Sequence, residues 1–133
     1  MAYDYQRVRG EKGKGVLKVT LNQPDTLNAF TPDLERELHE ALQEGDRDAE
    51  VFCMVICGSG RAFSSGYAMG AVPGRKGSLT DPAIYGSIGE FLGVVQVHDY
   101  ENVQHRQLDL WRLKKPVIAA VHGYCMGGGM WLA

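Results

Sequence analysis

The sequence predicts an α/β fold, and three consecutive segments support this prediction. Residues 16–21 (VLKVTL) alternate apolar and polar side chains, as a half-buried strand does. Residues 51–57 (VFCMVIC) form a short, almost entirely apolar run, which is typical of a central parallel strand covered on both faces. An amphipathic helix is predicted between them, so the three segments form one βαβ unit.

The helix is predicted from its capping residues and its apolar stripe. Thr31 can cap the amino end, and Pro32 suits the first helical position, where its missing N–H needs no partner. Gly45 is a residue at which such a helix can end. The side chains expected to face the sheet recur every three or four residues and are Leu34, Leu38, Ala41 and Leu42.

Further elements follow from the remaining pattern. We expect a turn at 22–25, a helix at 99–113, a buried strand at 116–121 and the start of another helix at Gly128. Glycine and proline recur throughout residues 58–93, which we expect to form a long loop. Loops of this length are uncommon in compact domains and are often functional.

The overall composition restricts the class of protein. The chain has 133 residues, which fits one domain over 1–133, and its net charge of −2 offers no basic field for nucleic acid. No apolar run reaches the ~20 residues that span a bilayer, and the amino terminus lacks signal-peptide features. Three cysteines, of which Cys53 and Cys57 are expected on one face of a core strand, suit a reducing compartment. We therefore expect a cytoplasmic protein without nucleic-acid or membrane partners.

Two glycine-rich segments follow predicted strands, GSGRAFSSG at 58–66 and GYCMGGG at 123–129. In a parallel sheet both lie at the carboxyl ends of strands, where ligands bind in open α/β folds. Neither segment matches a phosphate-binding loop, a dinucleotide fingerprint or a nucleophile elbow, and the chain has no HExxH motif or other metal cluster. Glycines there can bring two backbone N–H groups to one developing oxyanion. The alternative, that they serve only close packing of helix and strand, stays open.

Three motifs resemble the crotonase (enoyl-CoA hydratase/isomerase) superfamily: LNQPDTLNAF at 21–30, GSGRAFSSGYAMG at 58–70 and KPVIAAVHGYCMGGGMWLA at 115–133. The resemblance implies repeated ββα units that form a spiral core. It also implies that residues 1–133 are the N-terminal part of that core domain, truncated at about half the usual length with the C-terminal half absent. The implied substrate is an acyl-CoA thioester, with no further cofactor. The full-length form is expected to be a homotrimer or hexamer.

The resemblance also assigns site residues. The amides of Tyr67 and Gly128 would hold the thioester carbonyl as catalytic oxyanion donors. Ala29 and Ser65 match positions whose backbone contacts the adenine end of coenzyme A. The remaining residues expected to bind the substrate or coenzyme A are Gly66, Ala68, Gly127 and Trp131, and no metal site is expected.

The chain departs from the family pattern at two acidic positions. Trp131 stands where hydratases carry a glutamate, and Ala68 stands where an acid often follows the first oxyanion residue. Neither side chain can transfer a proton. Hydration, isomerisation and thioester hydrolysis therefore remain alternatives for an enzyme, and a non-catalytic acyl-CoA binder or an inactive fragment remains possible.

Overall fold

The structure, a computed structural model, describes residues 3–68 and 105–133. The chain divides into two units, one formed by residues 1–68 with 112–133 and the other by residues 69–111. The first unit contains both glycine-rich segments singled out above.

Seven strands lie in the described part of the first unit. They are β1 (Tyr3–Asp4), β2 (Val8–Gly13), β3 (Val16–Leu21), β4 (Cys53–Gly58), β5 (Ala62–Ser64), β6 (Val117–Ala120) and β7 (Tyr124–Cys125). Five of them form a sheet in the order β1-β2-β3-β4-β6, and β5 pairs separately with β7. The pairs β1–β2 and β2–β3 are antiparallel, whereas β3–β4 and β4–β6 are parallel. The predicted strands at 16–21, 51–57 and 116–121 are thereby confirmed to within two residues.

Helix α1 (Pro32–Arg47) connects β3 to the parallel strand β4, which confirms the predicted βαβ unit. Thr31 caps the helix, because its hydroxyl oxygen accepts a hydrogen bond from the amide of Leu34 at 3.2 Å. The apolar stripe of α1 is buried on the sheet side. The largest buried apolar side chains of this layer are Leu17, Val19, Leu21, Leu34, Leu38, Leu42, Met54 and Ile56.

The predicted end of α1 at Gly45 is wrong, because the helix continues to Arg47. Gly45 is buried where the helix meets the sheet. A Cβ atom added there would lie 2.5 Å from Cδ2 of Leu17 and 2.8 Å from the sulfur of Met54. The glycine therefore allows α1 to approach β3 and β4 closely, and it is a packing residue and not a stop signal.

Two shorter α-helices are also described, in addition to a 3₁₀-helix (Pro24–Thr26) that overlaps the turn predicted at 22–25. Helix α2 (His105–Trp111), in the second unit, confirms part of the helix predicted at 99–113. Helix α3 (Gly128–Leu132) confirms the helix predicted to begin at Gly128. The rest of the former prediction, and the predicted loop beyond residue 68, lie outside the described residues.

The strand β4 is covered less evenly than its apolar sequence predicts. Met54 and Ile56 are buried against α1, whereas Cys53, Val55 and Cys57 on the opposite face are half-buried. All three cysteines of the chain are free thiols. The two cysteines of β4 do share one face, as predicted, but that face is not the fully packed one.

Four strands are absent from the sequence-based prediction, namely β1, β2, β5 and β7. Strand β2 carries charged side chains at Arg9, Glu11 and Lys12, which hide the buried positions Val8 and Gly10. Strand β5 falls inside the segment 58–93 that is predicted to be a loop. Its partner is β7, so this short strand depends on a long-range contact that local composition does not encode.

Lys115 fastens the carboxyl end of α1 to the segment that enters β6. Its ammonium group donates hydrogen bonds to the carbonyl oxygens of Gly45 at 2.8 Å and Asp48 at 2.5 Å. In the opposite direction, Oδ1 of Asp46 accepts from the amides of Lys114 at 2.9 Å and Lys115 at 3.0 Å. A cation at this end of a helix satisfies carbonyl groups that lack partners within the helix.

We predict that Lys115→Met lowers the free energy of unfolding by about 1–2 kcal/mol, because two carbonyl oxygens lose a charged donor. Urea denaturation followed by circular dichroism measures the change. Lys114→Met is the matched control, since only the backbone of Lys114 takes part in this contact among the described residues. Equal stability of the two variants would contradict the role given to the Lys115 side chain.

Candidate functional site

The parallel strand order brings the two glycine-rich segments to one edge of the sheet, as predicted. One segment follows β4 and the other follows β6, and these strands are direct parallel neighbours. Beyond the sheet the two segments pair again as β5 and β7. The amide of Phe63 donates to the carbonyl of His122 at 2.9 Å, and the amide of Met126 donates to the carbonyl of Ser64 at 3.0 Å.

The two segments touch at their backbones at Gly66. This residue has a φ of +89°, which side-chain-bearing residues rarely adopt. A Cβ atom added to it would lie 2.7 Å from the carbonyl oxygen of Met126 and 3.2 Å from the nitrogen of Gly128. Both neighbours are backbone atoms, which cannot rotate away as the tip of a side chain can. The amide nitrogen of Gly128 therefore lies close to the α-carbon of Gly66, the residue that precedes Tyr67.

The orientation of the Tyr67 amide follows from its pairing with Phe30. The amide of Phe30 donates to the carbonyl of Gly66 at 2.8 Å, and the carbonyl of Phe30 accepts from the amide of Ala68 at 2.9 Å. In a parallel bridge of this kind, the residue between the two bonded positions turns its own N–H to the other side. The N–H of Tyr67 therefore points away from Phe30, to the side on which β7 pairs with β5.

The amide of Gly128 lies in the first turn of α3, where a helix has no internal acceptor for its N–H groups. No backbone carbonyl of residues 3–68 or 105–133 accepts a hydrogen bond from it. Gly127 precedes it with a φ of +50°, so the chain turns sharply into the helix. The structure thus brings together four predicted site residues, Gly66, Tyr67, Gly127 and Gly128.

The side chain of Tyr67 lies against the start of α3. A Cβ atom on Gly128 would lie 2.5 Å from Cε2 of the tyrosine ring and 3.0 Å from Cδ2 of Phe30. The rings of Phe30 and Tyr67 meet edge to face, with centroids 5.6 Å apart and an interplanar angle of 67°. At its far end, the Tyr67 hydroxyl donates to Oε1 of Glu35 at 2.8 Å. The glycine at position 128 thereby leaves room for an aromatic ring.

Asn28 organises the segments around the site, and the sequence analysis does not identify it. It is fully buried, with a φ of +53°, and its side-chain amide donates to the carbonyls of Ser59 and Ala62, each at 2.9 Å. Its Oδ1 accepts from the amide of Gln23 at 2.9 Å. The available signal is a polar residue that tolerates the left-handed conformation, set within the apolar run TLNAF.

A second polar residue, Ser64, connects Asn28 to Gly66 through two hydrogen bonds. The buried hydroxyl of Ser64 donates to the carbonyl of Asn28 at 2.8 Å. The same oxygen accepts a hydrogen bond from the amide of Gly66 at 3.1 Å. The position of the Gly66–Tyr67 peptide is therefore fixed by a continuous chain of buried hydrogen bonds.

The residues expected to contact adenine lie near one another. The amide of Ser65 donates to the carbonyl of Leu27 at 2.9 Å, and its hydroxyl donates to the carbonyl of Thr26 at 3.3 Å. Ala29, which is half-buried, follows this stretch directly and donates its amide to Thr26 at 3.2 Å. The roles of Ala29 and Ser65 toward coenzyme A stay predictions.

The two positions that depart from the family pattern are both on the surface. Ala68 is exposed, and its amide is bonded to Phe30. Trp131 lies on α3 with 67% of its surface exposed. Neither residue forms part of the packed core in the described part of the chain.

One perturbed pKa is found on strand β2, at Lys12. Hydrogen bonds to Glu50 and Asp48 raise the pKa of Lys12 well above its usual range. The ion-pair distances from its ammonium nitrogen are 2.6 Å to Glu50 and 2.9 Å to Asp48. Near the site, Nε2 of His122 lies 2.9 Å from the carbonyl oxygen of Gly60.

Within residues 3–68 and 105–133, no three side chains of His, Cys, Asp or Glu come together in a way that could hold a metal ion. In the same ranges no helix has both the length and the apolar character required to span a membrane.

Comparison with known proteins identifies the class to which this α/β chain belongs. The family model of enoyl-CoA hydratase/isomerase matches residues 11–133. The chain belongs to the enoyl-CoA hydratase/isomerase family, which confirms the predicted family and fold class.

Individual relatives agree with this assignment. The chain is 35% identical over 120 residues to a 1,2-epoxyphenylacetyl-CoA isomerase of Escherichia coli K12, covering 90% of this chain and 41% of that protein. It is 34% identical over 133 residues to a probable enoyl-CoA hydratase of Rhizobium meliloti, covering all of this chain and 44% of that protein. The chain thus spans less than half the length of these relatives.

Solved structures show the same partial coverage. A probable enoyl-CoA hydratase from Mycobacterium thermoresistibile superposes with a TM-score of 0.76 at 25% identity, over 96% of this chain and 46% of the other. One from Mycobacterium smegmatis gives a TM-score of 0.74 at 28% identity, over 95% and 44%. Oligomeric state, cytoplasmic location and the roles of the site residues stay predictions.

We predict that Asn28→Ala lowers the free energy of unfolding by about 2–4 kcal/mol, because one buried and one part-buried carbonyl lose their donor and alanine is strained at positive φ. Urea denaturation measures the loss. Asn22→Ala serves as the control, since among the described residues Asn22 forms a hydrogen bond through its backbone amide, to Arg7, and none through its side chain. A loss at Asn28 no larger than at Asn22 would disprove the organising role.

Proposed function

We propose that this chain supplies the oxyanion-binding part of an acyl-CoA-processing enzyme of the hydratase/isomerase type. The amides of Tyr67 and Gly128 would both donate to the thioester carbonyl oxygen as it gains negative charge in an enolate. The observation that carries the proposal is the close backbone contact at Gly66. A Cβ atom added to this glycine would lie only 3.2 Å from the nitrogen of Gly128. Membership of the enoyl-CoA hydratase/isomerase family supports the choice of substrate.

Backbone donors suit this chemistry because they are fixed before the reaction begins. An enolate carries its charge on the former carbonyl oxygen, and amides already aimed at that oxygen need no reorganisation when the charge develops. The hydrogen bonds around Asn28 and Ser64 hold one donor segment, and the turn at Gly127 holds the other. Removal of one such donor typically costs about 3–4 kcal/mol of transition-state stabilisation.

The coenzyme A portion would lie along the segment that contains Ala29 and Ser65. These residues are joined through hydrogen bonds to Thr26, so one ligand can reach both. The thioester end would then meet Gly66, Ala68, Gly127 and Trp131 beside the two donors. Exposed Trp131 offers an apolar surface for an acyl chain.

A second candidate function is acyl-CoA binding without catalysis. The observation that favours it is the lack of a titratable side chain at Ala68 and Trp131, since neither can accept or donate a proton. The two amides would then bind a ground-state carbonyl and no reaction would follow. Thioester hydrolysis is a variant of the enzymatic reading, because a tetrahedral oxyanion would occupy the same two donors.

We predict that replacing Gly128 by glycolic acid, which exchanges its N–H for an ester oxygen, lowers kcat/KM by about 10²–10³. The change removes one donor without adding atoms beside the Tyr67 ring. It is to be introduced into the intact protein and assayed with a panel of enoyl-CoA thioesters, with products identified by mass spectrometry and released thiol measured separately. Thiol release would identify a hydrolase.

The matched control is the same ester at Gly129, whose amide already donates to the carbonyl of Met126 at 2.9 Å. That ester should lower stability while leaving kcat/KM within about threefold, because the bond it removes is structural. An undiminished kcat/KM for the Gly128 ester would refute the proposed donor. Calorimetric binding of the thioesters with no product from the unmodified protein would instead select the non-catalytic alternative.

A further inference from the structure

We propose that Glu35 is a positioning residue of this site. Through its hydrogen bond to Tyr67 it holds the tyrosine ring against Gly128, and so keeps the two donor amides side by side. The kinetic consequence of this inference rests on the proposed function, whereas the contact itself does not.

A short series of contacts leads from α1 to α3 through the side chain of Tyr67. Oε1 of Glu35, in the first turn of α1, accepts the hydrogen bond of the Tyr67 hydroxyl at 2.8 Å. The ring edge of Tyr67 occupies the space in which a Cβ of Gly128 would lie, 2.5 Å from Cε2 and 2.8 Å from Cδ2. The ring therefore fills the gap between a carboxylate on one helix and the first residue of the other.

The burial of Glu35 requires a physical explanation. Only 6% of the surface of Glu35 is exposed. A carboxylate withdrawn from water is destabilising unless it accepts hydrogen bonds. An apolar side chain would fill a buried position of α1 without this penalty. The phenol hydroxyl offsets the penalty with a charge-assisted bond. The hydrogen bond to Tyr67 is therefore one contribution of this glutamate that a leucine could not make.

The neighbouring buried carboxylate has a different attachment. Glu37, with 4% exposure, accepts from the backbone amide of Arg7 at 2.6 Å and from its guanidinium at 3.3 Å. It thus ties α1 to the chain between β1 and β2, away from Tyr67. Of the two buried glutamates of α1, Glu35 is the one bonded to a predicted site residue.

Anchoring both the edge and the tip of the ring matters for the geometry of the site. A tyrosine side chain has several staggered rotamers, and a bond at its hydroxyl together with edge-to-face contact to Phe30 selects one of them. In that rotamer the ring adds a second contact to α3, beside the backbone contact at Gly66. A misplacement of about 1 Å in a catalytic group can cost on the order of 10² in rate.

The test combines kinetics in the intact protein with a matched control. Glu35→Leu and Tyr67→Phe should each lower kcat about tenfold with little change in KM. The double variant should be no slower than either single variant, because each substitution removes the same hydrogen bond. Glu35→Gln should restore most of the loss, since its amide oxygen can accept the same hydrogen bond. Glu44→Leu, an exposed carboxylate on the same helix, should leave kcat unchanged.

A spectroscopic arm reads the contact independently of turnover. With 3-fluorotyrosine at position 67, the ¹⁹F resonance should shift and broaden in Glu35→Leu and stay in place in Glu44→Leu. An unchanged resonance in Glu35→Leu, an unchanged kcat, or strictly additive losses in the double variant would each overturn the inference. If no protein turns over any thioester while the resonance still moves with Glu35, the proposed function fails and the Glu35 contact stands.

Discussion

The arrangement of this chain depends on one close approach between two backbones, at Gly66 and the residues 126–128. Any side chain at position 66 would meet a carbonyl oxygen and an amide nitrogen that cannot move aside. The contact therefore requires glycine, and it requires that the chain arrive with positive φ. The contact comes directly after the pairing of β5 with β7. It is followed in the second segment by the turn at Gly127 and the start of α3.

Both the main sheet and the buried polar residues are needed to form that contact. Parallel pairing of β4 with β6 delivers both segments to one edge, but strand pairing alone sets their positions only up to the strand ends. Asn28 and Ser64 then fix the path beyond β4 through hydrogen bonds to backbone groups. Buried polar networks of this kind specify one arrangement because any alternative leaves polar groups without partners.

The elements that the sequence predicts are those whose signal is local. Alternation gives β3, the apolar stripe with its Thr31 cap gives α1, and the apolar run gives β4. The joint location of the two glycine-rich segments also follows, because it needs only the strand directions. The family motifs add the hypothesis that Tyr67 and Gly128 are the oxyanion donors. No periodicity in the sequence could single out these two residues.

The features that escape prediction depend on residues far away in the chain. Gly45 is a residue type that often ends helices, yet here it is needed because Leu17 and Met54 of the sheet occupy the space beside it. Strand β5 exists because β7 lies beside it, and the burial of Asn28 depends on carbonyls more than thirty positions away. Local propensity cannot report such contacts, since tertiary partners decide them.

The long sequence separation within the site bears on the order of folding. Residues 28, 66 and 128 meet only after two large loops have closed, and closing loops costs chain entropy before the contacts can compensate for it. The hairpin of β2 and β3, joined by the positive-φ pair Lys14 and Gly15, has no such requirement. We therefore expect local hairpin structure to precede the meeting of Gly66 with Gly128, so that the two glycine-rich segments come together late along the folding pathway.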